Sequence, residues 1–197
     1  MLVNSSDLFY VRYLQLRITN VKKQELFALF ILEKELFKYF PKTEEKILSK
    51  IKLKWLYEEI SKKNKNNHIL KNFNDLDLQY KNIKKLIMLY EKVINEEINN
   101  KFITEFKQFN KAFNKLLKEY KSNFCTSYIF QIIYMIYHNE LIISKSTNDR
   151  LLEQFHKNYE NILRVERVFI SLFFKIYPKK KKITKRRYLF YILKSYF

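Results

Sequence analysis

The chain has 197 residues, enough for one domain or two small ones with a buried core. Its 39 Lys and Arg against 20 Asp and Glu give a net charge of +19, and 18 Phe and 15 Tyr stand beside two Pro, one Cys and no Gly. The missing glycine excludes Walker loops, G-x-G-x-x-G dinucleotide turns, kinase phosphate lids, G-x-S-x-G nucleophile elbows, EF-hand loops and collagen, because each needs a backbone conformation or a close approach that a Cβ obstructs.

In chain order, Leu14, Leu16 and Ile18 alternate as a possible short strand, and helical spacing then takes over. Leu26, Leu29/Phe30, Phe37 and Phe40 mark a helix within residues 21–40 that Pro41 ends. Thr43-Glu44-Glu45 reads as an N-cap with acids in the first turn. From there Ile47, Ile51, Trp55 and Ile60 line one face of a helix reaching about residue 62, followed by a polar loop, Lys62 to Asn67. Leu76, Tyr80, Ile83, Ile87, Tyr90 and Ile94 then follow a heptad pattern, and Ile98, Phe102, Phe106, Phe109, Phe113, Leu116 and Tyr120 continue it after a stutter near Asn99-Asn100. Residues 75–121 are therefore one long helix, about 65–70 Å if unbroken, or a helical hairpin.

An apolar segment runs from Phe124 to Ile143, and a helix opening at Ser146-Thr147-Asn148-Asp149 carries Leu152, Phe155, Tyr159, Ile162, Phe169 and Phe173 before Pro178 stops it. The expected fold is predominantly all-α: an irregular helical bundle in residues 1–177 followed by a basic, aromatic extension, 178–197.

The positive charge is focused. Residues 175–197 hold nine basic side chains and no acid, whereas 122–174 hold five of each sign. A run of like charge repels itself until a polyanion relieves it, and release of counterions then gives affinity without base specificity. Lys179, Lys180, Lys181, Lys182, Lys185, Arg186 and Arg187 are the expected phosphate contacts, with Tyr188 and Tyr191 placed to stack on unpaired bases. A second cluster, Lys50, Lys52, Lys54, Lys62, Lys63, Lys65 and Lys71, surrounds the second helix and its loop. Without a helix-turn-helix, zinc or basic-zipper pattern, folded RNA in a large particle suits these segments better than duplex DNA.

Ser122 to Asn139 is uncharged over 18 residues, nominally the length of a membrane span, but polar side chains interrupt it and a core element is the simpler reading. Catalytic constellations are weak. Asp75 and Asp77 cap a helix, His156 and Glu160 form an i,i+4 surface pair, His138 and Glu140 lack a third partner, and Cys125 is expected to be a buried, inert thiol. One cysteine permits no internal disulfide, and with three histidines it makes no zinc-site spacing. The N-terminal residues have the pattern of neither a secretory signal nor a mitochondrial import sequence.

Residues with A/T-rich codons (Phe, Tyr, Met, Ile, Asn and Lys) make up 108 of the 197, which points to a very A/T-rich genome such as organelle DNA. The composition is similar to that of proteins encoded in ciliate mitochondrial genomes; no family motif accompanies the likeness, so it assigns no residue. The expected function is that of a non-catalytic structural subunit of an organellar ribonucleoprotein, a mitochondrial ribosomal protein bound to rRNA phosphates, with Trp55 and the long helix packing on protein neighbours. No metal, cofactor or small-molecule substrate is expected. The alternative is an accessory or stalk-like subunit of a mitochondrial respiratory or ATP-synthase membrane complex, with residues 124–143 touching or entering lipid.

Overall fold

Apolar residues at helical spacing become a stable fold only when each stripe finds another to cover it. In the computed structural model, which describes residues 9–19, 22–41, 46–62, 80–177 and 183–195, every regular element is helical. The elements are α1 (Tyr10–Ile18), α2 (Lys23–Lys38), α3 (Lys46–Lys62), α4 (Tyr80–Asn95), α5 (Asn100–Glu119), α6 (Tyr128–His138), α7 (Lys145–Lys157), α8 (Arg164–Ile176) and α9 (Lys185–Lys194), with a 3-10 turn at Tyr159–Asn161. The expected all-α class is thus what the chain adopts. Leu14, Leu16 and Ile18 lie on α1, not on a strand, because the buried positions Val11, Arg12, Gln15 and Leu16 follow helical spacing.

α6 organises the body. Residues Ile129 to Ile136 are buried without interruption, as befits a helix surrounded by others, and α2, α5, α7 and α8 all pack on it. The order of packing runs α3, α4, α5, α6, α8, α9, so α3 and α9 lie at its two ends. At the centre the Phe37 ring meets Tyr90, Phe106, Phe109 and Tyr134 at centroid distances of 5.6–6.1 Å.

The heptad stretch is the hairpin, not the single rod. α4 stops at Asn95, and the Asn99 side chain caps α5 by accepting from the backbone N–H groups of Lys101 and Phe102. Asn82 on α4 donates to both carboxylate oxygens of Glu119 on α5, 3.1 and 3.0 Å. Ile83, Ile87, Tyr90 and Ile94 are buried on α4, and Phe102, Phe106, Phe109, Phe113 and Leu116 on α5. Leu76 lies outside the described residues, as do the expected caps at Thr43 and at Asp75 and Asp77.

The single helix expected after residue 146 is two. Ser144, not Ser146, caps α7, and the chain leaves the helix at Asn158 before α8 starts at Arg164. Pro178, expected to stop α8, lies outside the described residues.

Helix ends show what the absence of glycine requires. α5 and α6 both close in Schellman geometry: Ser122 N–H donates to Leu117 O and Lys121 N–H to Lys118 O, and Leu141 N–H donates to Ile136 O and Glu140 N–H to Tyr137 O. The left-handed residue, usually glycine, is here Lys121 (φ 55°) or Glu140 (φ 54°). An L-residue in that region costs about 1–2 kcal/mol, part of which glycine would return as greater freedom of the unfolded chain. Lys121→Gly is expected to stabilise the protein by about 0.5–1 kcal/mol, a rise of about 1–4 °C in Tm. Ala112→Gly, inside α5, is expected to cost about 1 kcal/mol. Thermal melts of both variants check the pair.

Candidate nucleic-acid interface

The described part of the C-terminal extension is packed, not solvated. Ile183, Tyr188 and Ile192 join the hydrophobic core, and α9 lies along α8. Thr184 caps α9, its hydroxyl accepting from Arg187 N–H at 3.3 Å. This corrects the expectation for Tyr188: its ring is fully buried beside Phe169 and its hydroxyl donates to Val165 O at 2.8 Å, so it has no face for a base. Its neighbours Arg186 and Arg187 are exposed on the first turn of the same helix. Lys185 opens α9, and Lys179, Lys180, Lys181 and Lys182 lie outside the described residues.

Between α8 and α9 runs an open groove of about 520 Å³. Arg164, Arg167, Ser171 and Lys175 line it from one stripe of α8, about 16 Å long at 1.5 Å per residue; Tyr191, Lys194 and Ser195 face them from α9. Four of the lining side chains are cationic and none is a carboxylate. Three of the cations have contacts with neutral groups. Arg164 Nε donates to Ser195 Oγ at 3.2 Å, Lys175 Nζ donates to Tyr191 Oη at 3.3 Å, and the Arg167 guanidinium lies 4.7 Å from the centre of the Tyr159 ring. Glu160, on the 3-10 turn, approaches Arg167 at 3.7 Å but is almost fully exposed, so water and salt screen the pair. Tyr191 is thus tied to Lys175 in the groove wall.

Arg164 and Arg167 were not singled out by composition, because residues 122–174 balance in charge, while Lys175 and Lys194 counted only toward the basic end of the chain. Their spacing, one stripe of α8 from Arg164 to Lys175, was the available signal. On the outer side of α9, Leu189, Phe190 and Leu193 are exposed.

The other basic cluster has a different setting. Lys50, Lys52, Lys54 and Lys62 are exposed on α3, while Lys63, Lys65 and Lys71 lie outside the described residues. Of the expected face of this helix only Ile60 is buried: Ile47, Ile51 and Trp55 are exposed, and Leu53 and Leu56 join Ile60 on the inner side instead.

A buried polar network crosses the core, unmarked by any motif. Arg12 on α1 donates from Nε and Nη2 to the two oxygens of Glu33 on α2, at 2.6 and 2.5 Å, and its Nη1 donates to Gln15 Oε1 at 2.7 Å. Glu166 on α8 accepts from Gln15 Nε2, Thr126 Oγ1 and the Ser127 N–H at 2.6–2.9 Å, and its Oε1 lies 3.4 Å from Arg12 Nη1. Gln131 on α6 donates to Glu33 and accepts from Asn110 on α5. The rings of Phe30 and Phe130 lie 4.9 and 4.8 Å from the Arg12 guanidinium carbon. Burial raises the pKa of Glu166, and Arg12, Thr126, Ser127 and Gln15 pull it partly back. The donors and acceptors are turned on one another inside the core, an arrangement that fixes helices relative to each other.

Cys125 is exposed rather than buried, because it falls on the extended link into α6. His156 is exposed at the end of α7, and the chain has left that helix before Glu160, which separates the expected i,i+4 pair. Among the described residues no group of three His, Cys, Asp or Glu side chains could hold a metal ion, and no helix is long and apolar enough to cross a membrane. Comparison with protein-family models, curated proteins and solved structures gives no match to the chain.

Proposed function

We propose that the chain is a non-catalytic structural subunit of an organellar ribonucleoprotein, a mitochondrial ribosomal protein, that holds rRNA phosphates in the groove between α8 and α9. The observation that carries this reading is the set of four cations, Arg164, Arg167, Lys175 and Lys194, lining one groove with no carboxylate among them. A cationic groove of this kind tracks a phosphate backbone and neutralises it through counterion release. Arg186 and Arg187 are exposed on the first turn of α9, and Lys179–Lys182 precede it in the sequence, so the positive charge extends beyond the groove. The exposed Leu189, Phe190 and Leu193 suit contact with a protein neighbour in the same particle.

The competing reading, an accessory or stalk-like subunit of a respiratory or ATP-synthase complex, has residues 124–143 touching or entering lipid. α6 has eleven residues, short of the roughly 20 that a bilayer needs, and Ile129 to Ile136 are buried in the protein. That placement favours the ribonucleoprotein reading.

Fractionation of a detergent extract of the source cells, with and without ribonuclease, separates the two. The protein is expected to sediment with large RNA particles and to leave that fraction after ribonuclease. Sedimentation with a respiratory complex, unchanged by ribonuclease, would overturn the proposal.

A further inference from the structure

α3 carries apolar side chains on two opposite sides. Leu53, Leu56 and Ile60 are buried on the inner side, where the helix packs against α4. Ile47, Ile51 and Trp55 repeat every fourth residue along the outer side with Leu48 beside them, and they are 75%, 59%, 44% and 45% exposed. At about 100° per residue these four fall within an arc of about 100° that faces away from the buried side. Lys50 and Lys54 flank one edge of the arc and Lys52 the other, all exposed. Glu58 is the one exposed carboxylate on the helix.

We propose that this ridge seats on an anionic lipid surface, with α3 lying in the plane of the membrane interface and not crossing it. A convex ridge one helix wide needs no complementary groove to enter an interface, and its binding grows with the apolar area inserted and the anionic charge met. Trp55 is of the residue type that favours the headgroup level. Lys50, Lys52 and Lys54 can extend their stems along the apolar strip and keep their ammonium groups among the headgroups.

Other occupants fit less well. A second copy would bring the same lysines face to face on a chain of net charge +19. The ridge is also one helix wide, whereas a stable protein interface buries about 800 Å² per partner. For RNA, the aliphatic Ile47, Leu48 and Ile51 provide neither hydrogen-bond donors nor stacking faces. The ridge is separate from the α8–α9 groove, so the two assignments stand or fall independently.

Trp55 is the only tryptophan in the chain, so its emission reports on this ridge alone. The full chain is titrated with vesicles of mixed phosphatidylcholine and phosphatidylglycerol, and with vesicles of phosphatidylcholine only. The mixed vesicles are expected to shift the emission to the blue, and brominated acyl chains to quench it. Replacing Ile47 and Ile51 together by Ser removes exposed apolar area without touching the core, so Tm is expected to stay within a few degrees of the parent. The substitution is expected to weaken partitioning at least about tenfold. The Gln variant of Arg164, Arg167, Lys175 and Lys194 is expected to bind vesicles through α3 as the parent does.

An unshifted or unquenched tryptophan would overturn the assignment. So would equal binding by the double Ser variant, which would mean charge alone attracts the chain. Self-association in sedimentation that the double Ser variant abolishes would overturn it in favour of a second copy.

Discussion

Arg12→Met is expected to destabilise the protein by about 3–5 kcal/mol, because it leaves buried carboxylates without their cation. Arg12 and Glu33 are both essentially inaccessible, and Glu166 is equally buried. Methionine replaces much of the volume and can touch the Phe30 and Phe130 rings, so the loss is electrostatic more than a cavity effect. Urea denaturation followed by circular dichroism measures it. The pH dependence identifies its cause. With Arg12 gone, the folded-state pKa of Glu166, already raised by burial, rises further. A carboxyl raised in the folded state favours folding below its unfolded pKa and loses that contribution as pH climbs through the folded value. The deficit of the variant relative to the parent is therefore expected to shrink at acid pH. A deficit independent of pH would assign the loss to packing instead. Glu166→Gln tests the same network from the other side and is expected to cost less, because it removes a buried charge while keeping the side-chain shape.

The parts of the fold legible in the sequence were those fixed by one-sided periodicity. The heptad pattern from Tyr80 to Tyr120 placed the two apolar stripes and the stutter at Asn99-Asn100 marked the break, where Asn99 caps the second helix, but spacing alone left a single rod open beside the hairpin. α3 shows where periodicity fails. Ile47, Ile51 and Trp55 form one helical stripe and Leu53, Leu56 and Ile60 another, and spacing alone does not say which faces the protein. Tyr188 fails similarly: basic neighbours suggested a surface aromatic, but α9 turns Tyr188 onto α8 while Arg186 and Arg187 face outward. The break between α7 and α8 had no proline to mark it, in a chain that also has no glycine.

The buried network was illegible for a different reason. Arg12 meets Glu166 across 154 residues of sequence, and a polar side chain gives no local sign of a partner so distant. Of the candidate interface, net charge located the end of the chain. The groove itself draws two arginines from a segment neutral overall, and only the pairing of α8 with α9 brings Arg164, Arg167 and Lys175 opposite Lys194.

Neutralising that groove is the second substitution series with a large expected effect. Arg164, Arg167, Lys175 and Lys194 replaced together by Gln remove four phosphate contacts while leaving Tyr188, Phe169 and the packed face of α9 in place. Each phosphate contact contributes about 0.7–0.9 to the slope of log affinity against log salt. Loss of all four lowers the slope by about 3. The effect is expected to be the same for RNAs of unrelated sequence, because phosphate contacts carry no base information.

The most direct measurement is filter binding of the parent and this fourfold variant to one structured RNA across a salt series, with thermal melts to confirm that both are folded. The groove assignment predicts a steep slope for the parent and one shallower by about 3 for the variant. Equal slopes for two folded proteins would contradict it and place the RNA contact elsewhere on the chain.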